Sequence, residues 1–93
     1  MGNYEESISW TFPMNEVGLN TLIPGERGIV GKLATPSFEV RQRLLEMGLT
    51  KGITIKVIRV APLGDPIEIE LRGYRLSLRR KEAEAVMIQT SKS

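Results

Sequence analysis

Between Ile67 and Leu78 apolar and polar residues alternate strictly on either side of a single Arg72-Gly73 pair, and this stretch constrains the chain more than any other. A period of two is the signature of a half-buried strand, and a two-residue spacer ending in glycine is that of a tight hairpin turn. If Arg72-Gly73 is that turn, Leu71 faces Tyr74, Ile69 faces Leu76 and Ile67 faces Leu78. One face of the hairpin is then wholly apolar, with Tyr74 predicted to point inward beside Leu76, and the other face pairs Glu70 with Arg75. A slip of one residue would turn every aliphatic side chain to water, so the register is specified locally.

Other strands are readable on both sides. Pro24-Gly25 is a turn signal, and β-branched Ile29 and Val30 place a strand over Arg27 to Leu33. The period then changes. Thr35 is predicted to cap a helix with Pro36 at its first position, and Val40, Leu44 and Met47 follow on one helical face, with Arg41, Arg43 and Glu46 off it. Gly48 ends the helix in the left-handed conformation, and Leu49 packs back on Leu44. Beyond the Thr50-Lys51-Gly52 turn, Ile53, Ile55 and Val57 alternate, but Ile58 and Val60 take the opposite parity, which predicts a bulge. Ala61 to Pro66 contains two prolines, a glycine and an aspartate and reads as a rigid, shaped loop. Arg79 to Glu82 is predicted as a turn and Val86 to Ile88 as a last strand, before a polar tail over 90–93. Before this domain, placed at 21–89, Ile8, Trp10, Phe12 and Met14 alternate within an arm over 1–20, which fits either an extra edge strand or a tail.

Five short strands, one inserted helix and no internal repeat define a mainly β fold, a small, strongly bent antiparallel barrel of the SH3-like type. At 93 residues the chain has room for one core. It contains no Cys and no His, which removes disulfides, thiolate metal sites, a thiol nucleophile and the commonest general base. Glu5 and Glu6 stand where a signal peptide would be basic and then apolar, and no run approaches the ~20 apolar residues of a membrane span. The expected class is a cytoplasmic binding module, neither an enzyme nor inserted in a membrane, that needs no cofactor.

Three groups of residues resemble known chemical sites. Asp65, Glu68 and Glu70 suggest a site for a hard cation, but solvated surface carboxylates are the far commoner reading. Gly25, Gly28, Gly31 and Lys32 resemble a phosphate-binding loop, yet Glu26 and Leu33 occupy positions that the motif reserves for Gly and for Ser or Thr. Arg72, Arg75, Arg79, Arg80 and Lys81 form a basic cluster that would suit nucleic acid, but with Tyr74 turned inward no aromatic platform accompanies it. Leu45, at the edge of the helical stripe, offers a docking residue instead.

Arg43-Leu44-Leu45-Glu46-Met47-Gly48-Leu49-Thr50-Lys51-Gly52, then Ala61-Pro62-Leu63-Gly64-Asp65-Pro66, then Arg72-Gly73-Tyr74-Arg75-Leu76-Ser77-Leu78-Arg79 together resemble the FeoA family, over about Leu22 to Ile88. The resemblance implies a small cytosolic SH3-like accessory protein of ferrous iron uptake that works with FeoB, a membrane transporter carrying a GTPase domain. A related domain ends the iron-dependent repressors of the diphtheria-toxin-repressor type, which leaves a stand-alone relative of that domain, or a nucleic-acid-binding barrel, as the alternative. Lacking His and Cys, the chain has poor means of carrying iron itself, so its expected action is contact with the transporter. The partner-binding residues proposed on this basis are Arg43, Leu44, Leu45, Met47, Pro62, Leu63, Gly64, Asp65, Pro66 and Arg72. Self-association through a sheet edge is a further expectation.

Overall fold

The structure is a computed structural model and describes residues 14–91. Six strands, two short helices and their turns follow one another as β1 (Met14–Gly18), β2 (Arg27–Leu33), α1 (Phe38–Glu46), β3 (Thr54–Val60), β4 (Ile67–Leu71), β5 (Tyr74–Leu78), α2 (Arg80–Glu84) and β6 (Val86–Ser91). One antiparallel sheet runs in the order β1-β6-β2-β3-β4-β5. The mainly β architecture is the expected one, with two corrections. Among the described residues the strands number six, not five, and the sheet is not closed into a barrel by pairing of β1 with β5. Of the arm expected over 1–20, Ile8, Trp10 and Phe12 lie outside the described residues, as do Lys92 and Ser93 of the polar tail. Met14–Gly18 pairs with β6 from Met14–Ser91 to Gly18–Met87, which carries β6 well beyond Ile88.

The hairpin has the register that its alternation requires: Leu71 opposite Tyr74, Ile69 opposite Leu76, Ile67 opposite Leu78. Arg72 and Gly73 both have positive φ, 51° and 84°, the type I′ turn whose twist matches the flanking strands. Ile67, Ile69, Leu71 and Leu78 are buried. Tyr74 is the exception to the inward face. It stays 45% exposed, and its hydroxyl donates a 2.6 Å hydrogen bond to the Met47 carbonyl. A phenol needs a polar partner, and the end of a helix leaves carbonyls without one. Glu70 stands opposite Arg75 but makes no ion pair among the described residues; Glu68 pairs instead with Arg59 at 3.5 Å.

The predicted bulge in β3 is present, since its register with β4 shifts between Val57 and Arg59. A second shift falls in β2 between Val30 and Lys32, at buried Gly31, where an added Cβ would lie 3.1 Å from Gln89 Nε2. Helix α1 begins two residues later than expected. Ser37, not Thr35, is its N-cap and accepts from the Val40 N–H at 3.2 Å, while Thr35 Oγ1 accepts from the Ser37 N–H at 3.1 Å. Arg41 then reaches back to the carbonyls of Leu33 and Thr35, at 3.2 and 3.0 Å, and fixes the helix against the end of β2. At the other end Gly48 has φ +99°, and the Leu49 N–H bonds to the Leu44 carbonyl at 3.1 Å, the Schellman ending. Leu44 and Leu49 are both fully buried in the core that β2, β3, β4 and β6 share. Among the described residues no polar or charged side chain is fully buried, and no helix is long and apolar enough to cross a membrane.

Candidate functional site

The loop between β3 and β4 has an unusual backbone. The Gly64 N–H bonds to the Ala61 carbonyl at 2.8 Å and closes a turn with Pro62 and Leu63 at its centre. Leu63 has φ 72° and ψ 7°, the third position of a type II turn, where glycine or asparagine is usual because a Cβ clashes with the carbonyl. Holding a leucine there costs about 1–2 kcal/mol, and the burial that could offset it is absent: the side chain is 99% exposed. The base of the loop is anchored. Ala61 N–H bonds to the Pro66 carbonyl at 3.0 Å, and Asp65 Oδ1 accepts the Arg80 N–H at 3.1 Å.

That last bond joins the loop to α2, which was expected as a plain turn. Arg80–Glu84 is helical because Glu82 reaches back to accept the Arg79 N–H at 3.0 Å, while Ala83 faces the core. Glu82 also pairs with Arg43 Nε at 3.3 Å, tying α2 to α1. Two hollows open on either side of Asp65 and Arg79. One, of ≈ 410 Å³, is lined by Val40, Arg43, Asp65, Arg79, Lys81 and Glu82; the other, of ≈ 440 Å³, by Asp65, Pro66, Ser77, Leu78 and Arg79.

The residues singled out from the sequence are therefore divided among several places. Arg43, Asp65 and Pro66 meet at these hollows, and Pro62, Leu63 and Gly64 crown the same loop. Leu44 is fully buried, so it supports α1 from beneath and presents nothing to a partner. Met47 is half-buried at the end of α1, where its carbonyl receives Tyr74. Leu45 is 38% exposed and lies about 160° around α1 from Arg43, on a stripe with Phe38, which is 73% exposed. Arg72 belongs to a separate hollow of ≈ 190 Å³ with Arg27, Lys56 and Glu70. Sequence reasoning missed Val40 and Glu82 as parts of the groove and Phe38 as exposed. A glutamate three residues after Arg79 is the one available sign of the contact that builds α2.

Chemically, the groove offers fixed charge and shape, and its two carboxylates, Asp65 and Glu82, are held by contacts to α2 and α1. Among the described residues no group of three or more His, Cys, Asp or Glu is placed to hold a metal ion.

A small, open, SH3-like β domain with a two-helix groove on one side is the class that fold and site define. A family model for the FeoA domain matches residues 17–90, and the chain belongs to that family. A crystal structure of an iron uptake regulatory protein (FeoA) is 35% identical with a TM-score of 0.73, covering 82% of this chain and 100% of that one. FeoA from Stenotrophomonas maltophilia, crystallised with zinc and described as an SH3 domain protein, is 23% identical with a TM-score of 0.69 over 83% of this chain and 99% of that one, a likeness of fold. A Porphyromonas gingivalis protein, an Fe(2+) transport protein A/Fe(2+) transporter FeoB fusion, is 43% identical over 49 residues, which are 53% of this chain and only 6% of the fusion. A manganese-dependent transcriptional repressor shares the fold alone, at 13% identity and a TM-score of 0.74, over 81% of this chain and 41% of the repressor.

Proposed function

We propose that this chain is a non-catalytic cytoplasmic accessory protein of ferrous iron uptake that acts by binding a FeoB-type, GTPase-containing transporter. Membership of the FeoA family supports a role in ferrous iron transport. The observation that carries the choice of partner is the fusion, in which a FeoA-like stretch shares one polypeptide with the transporter. Covalent linkage raises effective concentration to the millimolar range for short linkers, so it preserves a contact that is weak when the two are separate.

The contact surface on this side is the Pro62–Pro66 loop with neighbouring parts of α1. Leu63 supports that reading, because a large apolar side chain held in a costly backbone conformation and left in water contributes nothing to the fold. Leu45, on the opposite face of α1 from Arg43, is a separate contact beside Phe38, and the arginines at the loop's base steer approach.

Titration of the labelled chain against the cytosolic part of the transporter at physiological salt tests the proposal, with an unrelated DNA duplex as the second ligand. Saturable binding to the protein alone is expected. Binding only to the duplex, falling steeply with salt, would favour the nucleic-acid alternative instead. Leu45→Asp is expected to weaken transporter binding while leaving the fold intact; a variant that unfolds would return Leu45 to the core.

A further inference from the structure

The groove beside the Pro62–Pro66 loop is lined by three cations, Arg43, Arg79 and Lys81, against two acids, Asp65 and Glu82, which leaves it a small positive excess. Its two acids are engaged from within: Asp65 accepts the Arg80 N–H, and Glu82 accepts the Arg79 N–H and the Arg43 guanidinium. Arg79 and Lys81 line the same groove, are exposed, and make no ion pair among the described residues. Apolar surface adjoins them in Val40 on one side of Asp65, in Pro66 on the other, and in Leu63 just along the loop. A ligand that completes this surface carries negative charge and apolar side chains together. Exposed aromatics do not line the groove: Phe38 and Tyr74 are absent from both hollows, so base stacking has no platform there.

We propose that the groove takes an acidic peptide segment of the partner, with a carboxylate between Arg79 and Lys81 and an apolar side chain against Val40 or Leu63. The identity of the partner rests on the transporter reading above; the chemistry of the segment rests on the groove alone.

Two experiments separate these. In the first, the isotope-labelled full chain is titrated with a synthetic peptide of alternating Glu and Leu, and with its Lys-for-Glu counterpart, while backbone amide signals are followed. The acidic peptide is expected to move Val40, Arg43, Asp65 and Arg79 to Glu82, and the basic one to move none of them. No shift, or shifts centred on Arg27, Lys56 and Arg72, would overturn the proposal, as would a DNA duplex displacing the peptide at lower concentration. In the second, Arg79→Glu/Lys81→Glu is compared with Arg27→Glu/Lys51→Glu, an equal change of charge at exposed residues elsewhere, for binding to the cytosolic part of the transporter. The groove variant is expected to bind on the order of tenfold more weakly, with slower association, and the control within about twofold of the unaltered chain. Equal loss in both variants would overturn the groove as the site. A chain that answers the acidic peptide in the groove but ignores the transporter would refute the partner and keep the groove.

Discussion

The β4–β5 hairpin and the loop that leads into it are neighbours in sequence and opposites in how they use apolar residues. In the hairpin Ile67, Ile69, Leu71 and Leu78 are buried, and the two left-handed residues, Arg72 and Gly73, make the turn that brings them together. In the loop Leu63 adopts the same left-handed region, and its side chain stays in water. One stretch converts backbone conformation into core; the other converts it into display. The lesson is that stability and recognition are assigned to different residues even where they lie within a few positions of each other, so substitutions should separate the two.

The largest effect expected is on the hairpin side. Ile69→Ala removes a fully buried side chain and should lower unfolding free energy by about 2–5 kcal/mol in a denaturant titration. A loss below about 1 kcal/mol would mean that the hairpin is less central than its burial implies. Next comes Gly48→Ala, which forces φ +99° on an L-residue and sets a Cβ 2.8 Å from the Tyr74 hydroxyl. A loss of at least about 1–2 kcal/mol is expected from the backbone alone. Tyr74→Phe removes the hydrogen bond to the Met47 carbonyl, and on this half-exposed site thermal unfolding should register about 0.5–1.5 kcal/mol. The smallest effect belongs to the loop: Leu63→Ser should change stability by no more than about 0.5 kcal/mol while weakening transporter binding. A destabilised Leu63→Ser protein would erase the contrast between the two regions.

How much of this was legible beforehand follows from where each determinant lies. The hairpin register was readable because turn chemistry and alternation agree within a dozen residues, and the Schellman ending at Gly48 because its determinants are adjacent. Thr35 and Ser37 are both competent caps two positions apart, and only the position of the first turn, held by Arg41 against β2, chooses Ser37. Tyr74 turned outward for a carbonyl supplied by a helix many residues upstream, which no local pattern could indicate. The extra strand and the open sheet depend on pairing between the two ends of the described chain, a long-range choice. The groove was only half visible: its cations and Asp65 could be named, but that Asp65 and Glu82 each accept a backbone N–H at the start of α2 required α2 to exist.

Strands β1 and β6, first and last among the described residues, lie side by side and run in opposite directions, with Met14 opposite Ser91. Paired antiparallel residues are about 5 Å apart, so the chain passes into and out of the domain through a single doorway. A domain wired in this way behaves as a cassette. Joined to a larger polypeptide by its front, by its back or by both, it would hang from the same point with the same orientation, and a tether would constrain its reach without straining its sheet.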